Sequence, residues 1–181
     1  RNEKIWNSYL SRIKITADED ITKTFYSCMY RVFLYPHKAY EIDKNGKAIH
    51  YAPSVDEVRP GVRYTDNGFW DTYRTVYPLY SLIAKEEYKE IMEGYIVDYI
   101  DGGWLPRWTA MVARACMPSS LIDAVIADAA VKGILTGDLL RTAFEGMEKH
   151  ANNDSENPGY GREKVSFYLE HGYVPCDCHE S

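Results

Sequence analysis

Apolar residues recur every three or four positions through most of this chain, and that spacing predicts helices. Ile5, Trp6, Tyr9, Leu10 and Ile13 form one such stripe over residues 1–15. Ile21, Phe25, Cys28, Met29, Val32 and Phe33 form the next over 19–35, with Asp18 or Thr16 to cap its start and Pro36 to end it. Phe69, Trp70, Tyr73, Val76, Tyr77, Tyr80, Leu82 and Ile83 predict a helix over 68–83, kinked at Pro78. A helix over 85–100 follows, carrying Tyr88, Ile91, Met92, Tyr95, Ile96 and Tyr99, and Gly102-Gly103 stop it. Helices over 119–133 and 136–150 come next, then a polar loop over 151–161 and a short helix over 162–170 that Gly172 ends.

Residues 37–66 break this rhythm. Short alternating segments flank Asn45-Gly46, a hairpin signal. Asp43-Lys44-Asn45-Gly46 also resembles the opening of a calcium loop, but the later bidentate Glu is missing at the required offset, so the turn reading holds. The expected class is therefore mostly α, with one small β-hairpin insertion near residues 38–66. Helices joined by short loops are expected to pack as antiparallel neighbours.

With 181 residues, 45% of them hydrophobic, the chain is long enough for one real core. Sixteen Tyr and four Trp suit either a large helical core or a carbohydrate-lined cleft. The net charge is −6 and no basic run occurs, which argues against nucleic acid and anionic membrane as partners. No apolar stretch approaches the roughly 18 residues of a membrane span. The chain starts at Arg1 rather than Met, which reads as an internal cut. Cys28 and Cys116 fall within apolar helical patterns and are expected as buried free thiols. Cys176-Asp177-Cys178-His179 has one residue between its cysteines, tighter than zinc spacings, so no metal site is assigned there.

The most informative chemistry lies at Trp70, Asp71 and Arg74. Asp71 and Arg74 are three apart and share a helix face. An aromatic plate, an acceptor and a forked donor in one patch equip a surface to grip a polyol such as a sugar. The same spacing also suits a surface ion pair at the first turn of a helix. Trp104 reads either as an apolar wall of a site or as a plug beneath the Gly102-Gly103 turn, and Arg114 as a hydroxyl contact or a surface charge. His37, His50, His150, His171 and His179 are expected in loops or at element ends, in solvent. Asp123 and Asp128 point to different helix faces and are expected to have structural roles.

Gly68-Phe69-Trp70-Asp71-Thr72-Tyr73-Arg74-Thr75-Val76-Tyr77-Pro78-Leu79 resembles a hallmark segment of the glycoside hydrolase family 92 α-mannosidases. Four further stretches are similar to that family in the same order. They are Thr24 to Arg31, the Gly102-Gly103-Trp104-Leu105-Pro106-Arg107-Trp108 loop, Cys116-Met117 through Ile134, and Gly172-Tyr173-Val174-Pro175. Many members have Glu-Thr-Asn before the Cys-Met, whereas this chain has Ala113-Arg114-Ala115, a departure that bears on linkage preference.

The resemblance implies a large two-domain enzyme with an N-terminal β-sandwich and a C-terminal (α/α)6 toroid. Residues 1–181 would form a single truncated piece, the first half of the toroid. It implies a calcium-dependent, inverting exo-α-mannosidase that removes terminal α-mannose from glycans in a secreted, periplasmic or cell-surface setting. The general acid and base would lie beyond Ser181, as would most calcium ligands, so the chain itself would be inactive and supply no metal ligands. Its substrate-binding residues would be Trp70, Asp71, Arg74, Trp104 and Arg114. Two alternatives remain open: a mannose-1-phosphate diester hydrolase of the same family, and a non-catalytic helical module that binds glycan or protein.

Overall fold

The computed structural model describes residues 2–116 and 120–177. Eight helices and seven short strands occur among them, and helices take up about half of the chain. The chain divides into two compact units, residues 1–36 and 37–181.

The first unit pairs α1 (Asn2–Leu10) with α2 (Glu19–Val32). Asp18 caps α2 as its sequence position predicts, its side chain accepting from the Ile21 amide at 2.9 Å. Aromatic rings join the pair: Trp6 lies 4.4 Å from Tyr30 and Tyr9 lies 4.9 Å from Phe33, centre to centre. Cys28 is exposed on α2 and Cys116 is half-buried, so the expectation of two buried thiols fails. Cys28 lies at the exposed edge of the α2 stripe, and residues 113–116 form loop rather than the expected helix, which leaves Cys116 partly open.

The second unit opens with strands rather than a lone hairpin. β1 (His37–Lys38) pairs with β5 (Tyr64–Thr65), and β2 (Glu41–Ile42), β3 (Ala48–Ala52) and β4 (Glu57–Pro60) form an antiparallel sheet. The expected turn stands at Asn45-Gly46, where Gly46 takes φ 77° and the Asp43 carboxylate accepts from the Asn45 and Lys47 amides. A third small sheet joins β6 (Asn67–Gly68) to β7 (Trp108–Thr109). It brings two loops together that lie some forty positions apart in the sequence.

The helical layer centres on α5 (Lys85–Gly102), which packs on α4 (Val76–Ile83), α7 (Gly137–Asn152) and strands β3 and β5. Tyr88, Ile91, Met92, Tyr95 and Ile96 bury its inner face. Gly94 permits the approach to β5, since a Cβ there would stand 2.5 Å from the Tyr64 ring. Gly103 in the left-handed region ends α5. Helix α6 (Ile122–Val131) buries Ile122, Val125, Ile126 and Ala129 against this layer, and α8 (Val165–His171) closes the described chain.

The kinked helix expected over 68–83 is instead two helices, α3 (Phe69–Thr72) and α4, with a break between them. Pro78 therefore sits in the first turn of α4, where its missing N–H costs nothing. A continuous helix would have set its ring against the Arg74 carbonyl. Thr75, at φ −128° and ψ −75°, absorbs the turn.

Two histidines expected in solvent are buried. His50 on β3 faces the Gly61 carbonyl at 3.0 Å and Asp101 at 2.8 Å. His150 on α7 faces Asp123 at 3.0 Å and the Leu105 carbonyl at 3.2 Å. Asp123 also accepts from Arg162 at 2.8 Å, a structural role as expected. His37 and His171 are exposed. Arg1, Met117, Cys178 and His179 lie outside the described residues.

Candidate functional site

Asn67 begins the construction of the site. Its backbone pairs with Thr109, donating to the hydroxyl at 3.1 Å and accepting from it at 3.0 Å. Its side-chain amide donates to the Tyr77 hydroxyl and, at 3.2 Å, to that of Tyr95. The two tyrosine hydroxyls are themselves 2.9 Å apart. All four residues are buried, so these bonds satisfy groups that water cannot reach. Burial first, then the neighbouring hydroxyl, pushes Tyr77 far above its ordinary range and keeps it a neutral donor.

Gly68 is next, and only glycine fits. A Cβ there would lie 2.3 Å from Trp108 Nε1, so the indole of the facing strand occupies the space of a side chain. Phe69 turns inward, its ring 5.2 Å from that of Tyr95 and perpendicular to it. With Phe69 anchored, Trp70 and Asp71 must emerge on the outer side of the short helix α3. Thr72 and Thr75 secure the turn by donating to the Gly68 and Asp71 carbonyls at 2.8 and 2.7 Å.

Trp70, Asp71 and Arg74 therefore stand together and exposed. The Arg74 guanidinium lies 5.7 Å from the Trp70 ring centre and 5.5 Å from that of Tyr73. Among the described residues no ion pair joins Arg74 to Asp71, so the surface salt bridge that the spacing allows is not formed. The carboxylate and the guanidinium both remain available to an outside ligand. The patch lines none of the cavities described below.

The other two candidates share no cavity with this patch. Arg114 is exposed in the loop after β7. Trp104 is half-buried, with the Lys149 ammonium 4.3 Å from its ring centre and the His150 ring stacked beside it at 5.9 Å. It also lines a polar cavity of about 810 Å³ together with Arg63, Asp98 and Tyr160. Arg63 is buried and donates through Nε to Asp98 at 2.8 Å, while its Nη2 reaches the Ala110 carbonyl at 3.3 Å. Burial pushes Asp98 above the usual carboxylate range, and Arg63 works against that rise. Sequence reasoning missed Arg63, Asp98 and Tyr160, which no local pattern connects. A second cavity of about 460 Å³ lies around Arg107, Asp123, His150 and Arg162. Among the described residues no cluster of His, Cys, Asp and Glu is arranged to hold a metal ion.

The whole chain, residues 1–181, matches the family model of the glycosyl hydrolase family 92 catalytic domain. Among solved structures, it is similar to a family GH92 inverting mannosidase from Bacteroides thetaiotaomicron, with 36% identity and a TM-score of 0.86, covering 97% of this chain and 24% of that one. A family GH92 α-mannosidase from the same organism shares 27% identity with a TM-score of 0.79, covering 96% of this chain and 23% of that one. The same α-mannosidase in complex with mannoimidazole matches equally, over 22% of its length. The chain thus spans about a quarter of the length of the solved relatives it matches. No curated protein sequence matches it.

Proposed function

The chain belongs to glycosyl hydrolase family 92, and on that premise we propose that the protein carrying it removes terminal α-mannose from glycans with inversion. In this reading residues 1–181 contribute part of an (α/α)6 toroid and part of the grip on the terminal sugar. The observation that carries it is the exposed set of Trp70, Asp71 and Arg74, whose carboxylate and guanidinium have no hydrogen-bond or ion-pair partner among the described residues, set on a rigid buried support. Asp71 accepts from sugar hydroxyls, Arg74 donates to them, and Trp70 offers an apolar face. Arg114 is a further substrate contact in this proposal, and Trp104 would meet the glycan at a place other than the terminal sugar.

Inversion needs a carboxylic acid at the leaving oxygen and a carboxylate acting on water, roughly 6.5–9.5 Å apart. We assign neither role within these residues. Holding the ring so that both groups act on one bond is the share of catalysis left to this patch, and good positioning is worth several kcal/mol. The calcium implied by the family resemblance finds no ligand set among the described residues, so no step is derived through it. A glycan substrate suits a secreted, periplasmic or cell-surface protein. The test is hydrolysis of 4-nitrophenyl α-mannoside by the full-length protein. Release of 4-nitrophenol with an inverted sugar product is expected, and no turnover of any α-mannoside would overturn the proposal.

A further inference from the structure

The cavity beside Trp104 holds three polar groups that the fold leaves uncommitted. Arg63 Nη1 is buried, in a side chain only 4% exposed, and has no hydrogen-bond partner among the described residues. Asp98 accepts from Arg63 through one oxygen, and among the described residues nothing bonds its other oxygen. The Tyr160 hydroxyl likewise has no partner among the described residues. Burial, then the nearby Asp98 charge, raises Tyr160 above its ordinary value, so the hydroxyl keeps its proton and can donate. A donor, an acceptor and a further donor thus line one space. An unpaired buried guanidinium nitrogen is costly unless something in the cavity bonds it.

The surroundings narrow what that something is. Asp98, Asp154 and Glu156 line the same cavity, so its carboxylates outnumber the Arg63 charge and an anion is disfavoured. A small cation is disfavoured by geometry instead, since among the described residues no group of carboxylates is arranged to hold one. An apolar guest would leave the three polar groups unpaired. A neutral polyhydroxy ring satisfies all of them, and about 810 Å³ falls within the ~300–1,000 Å³ of small-molecule pockets. We propose that the cavity bounded by Arg63, Asp98, Trp104 and Tyr160 is a second carbohydrate position, separate from the Trp70 patch, that binds a neutral hexopyranoside. The choice of mannose as the sugar rests on the proposed function, whereas the neutral, hydroxyl-rich chemistry does not.

Trp70 and Trp104 serve as separate reporters. The full-length protein, labelled with 5-fluorotryptophan and with its signals assigned by Trp70→Phe and Trp104→Phe, is titrated with methyl α-mannopyranoside. The Trp104 signal is expected to move on titration. In Tyr160→Phe its midpoint should rise about tenfold, the loss of one good hydrogen bond at about 1.4 kcal/mol. The Tyr160 hydroxyl has no bond to lose among the described residues, so folding is preserved. Val112→Phe, which fills the cavity from another wall, should abolish the response. A Trp104 signal that stays still while Trp70 moves overturns the second position and leaves the proposed function standing. A Trp104 response unchanged in both variants also overturns it. If Trp104 responds and both variants blunt it, but no α-mannoside is hydrolysed, the second position stands and the hydrolase reading falls.

Discussion

The outer and inner sides of the Gly68–Thr75 turn use polar residues in opposite ways. On the outer side, Asp71 and Arg74 are exposed and do not pair with each other. On the inner side, Asn67, Tyr77, Tyr95 and Thr109 bond one another and admit no solvent. A polar group that is fully satisfied within the fold is rigid but has nothing to offer a ligand. A group with nothing to bond is available, but only a rigid base can aim it. Buried Phe69 links the two sides, because its anchored ring determines where Trp70 and Asp71 emerge.

Asp71→Asn tests this division most severely. The amide keeps the shape of the carboxylate but loses the charge and one acceptor. Turnover of 4-nitrophenyl α-mannoside should fall about 100-fold, close to 2.7 kcal/mol in transition-state stabilisation. The melting temperature should not change, because the Asp71 carboxylate makes no bond among the described residues. A variant that melts early would place Asp71 among the structural residues. Asn67→Ala should do the reverse. It removes the amide that donates to two buried tyrosine hydroxyls, leaving them only each other, and is expected to cost about 2 kcal/mol of stability. Activity should fall only as far as the turn loosens, and denaturant midpoints beside kinetics at low temperature would separate the two effects.

Features carried by local periodicity were legible in the sequence. Six of the helices follow from the spacing of apolar residues, and the Asp18 cap, the Asn45-Gly46 turn and the stop at Gly103 follow from residue type. The break at 73–75 is not legible, because a proline within an apolar helical stripe reads as a kink, whereas a first turn accommodates Pro78 without distortion. His50 and His150 were misjudged for another reason. A single histidine carries no local signal, and each is buried by partners brought from distant segments, Asp101 for one and Asp123 for the other. Trp70, Asp71 and Arg74 were legible because they lie within five positions of one another. Arg63, Asp98 and Tyr160 were not, because only the packing of α5 and the 154–160 loop gathers them.

The smallest expected effect concerns Glu90, a charged member of the structural side. It accepts from Lys38 at 2.9 Å and from the Tyr40 and Tyr64 hydroxyls at 2.6 Å each, and so ties α5 to the β1–β5 pair that leads into the turn. Burial alone would raise its pKa, but the bonds from Tyr40, Tyr64 and Lys38 outweigh burial and set it below the ordinary 4.5. A carboxyl lowered in the fold stabilises it as the anion. That stability is complete above the unfolded value and is lost as pH falls through the lower, folded value. Glu90→Gln should therefore flatten the acid limb: below about pH 4.5 the native protein should lose stability more steeply than the variant. Asp43 and Asp154 are also lowered, by their own hydrogen bonds, but both remain in each protein and cancel in the difference. Parallel acid limbs in denaturant titrations would mean that Glu90 holds nothing together, and that the rigidity beneath Trp70 and Asp71 comes from the Asn67 network alone.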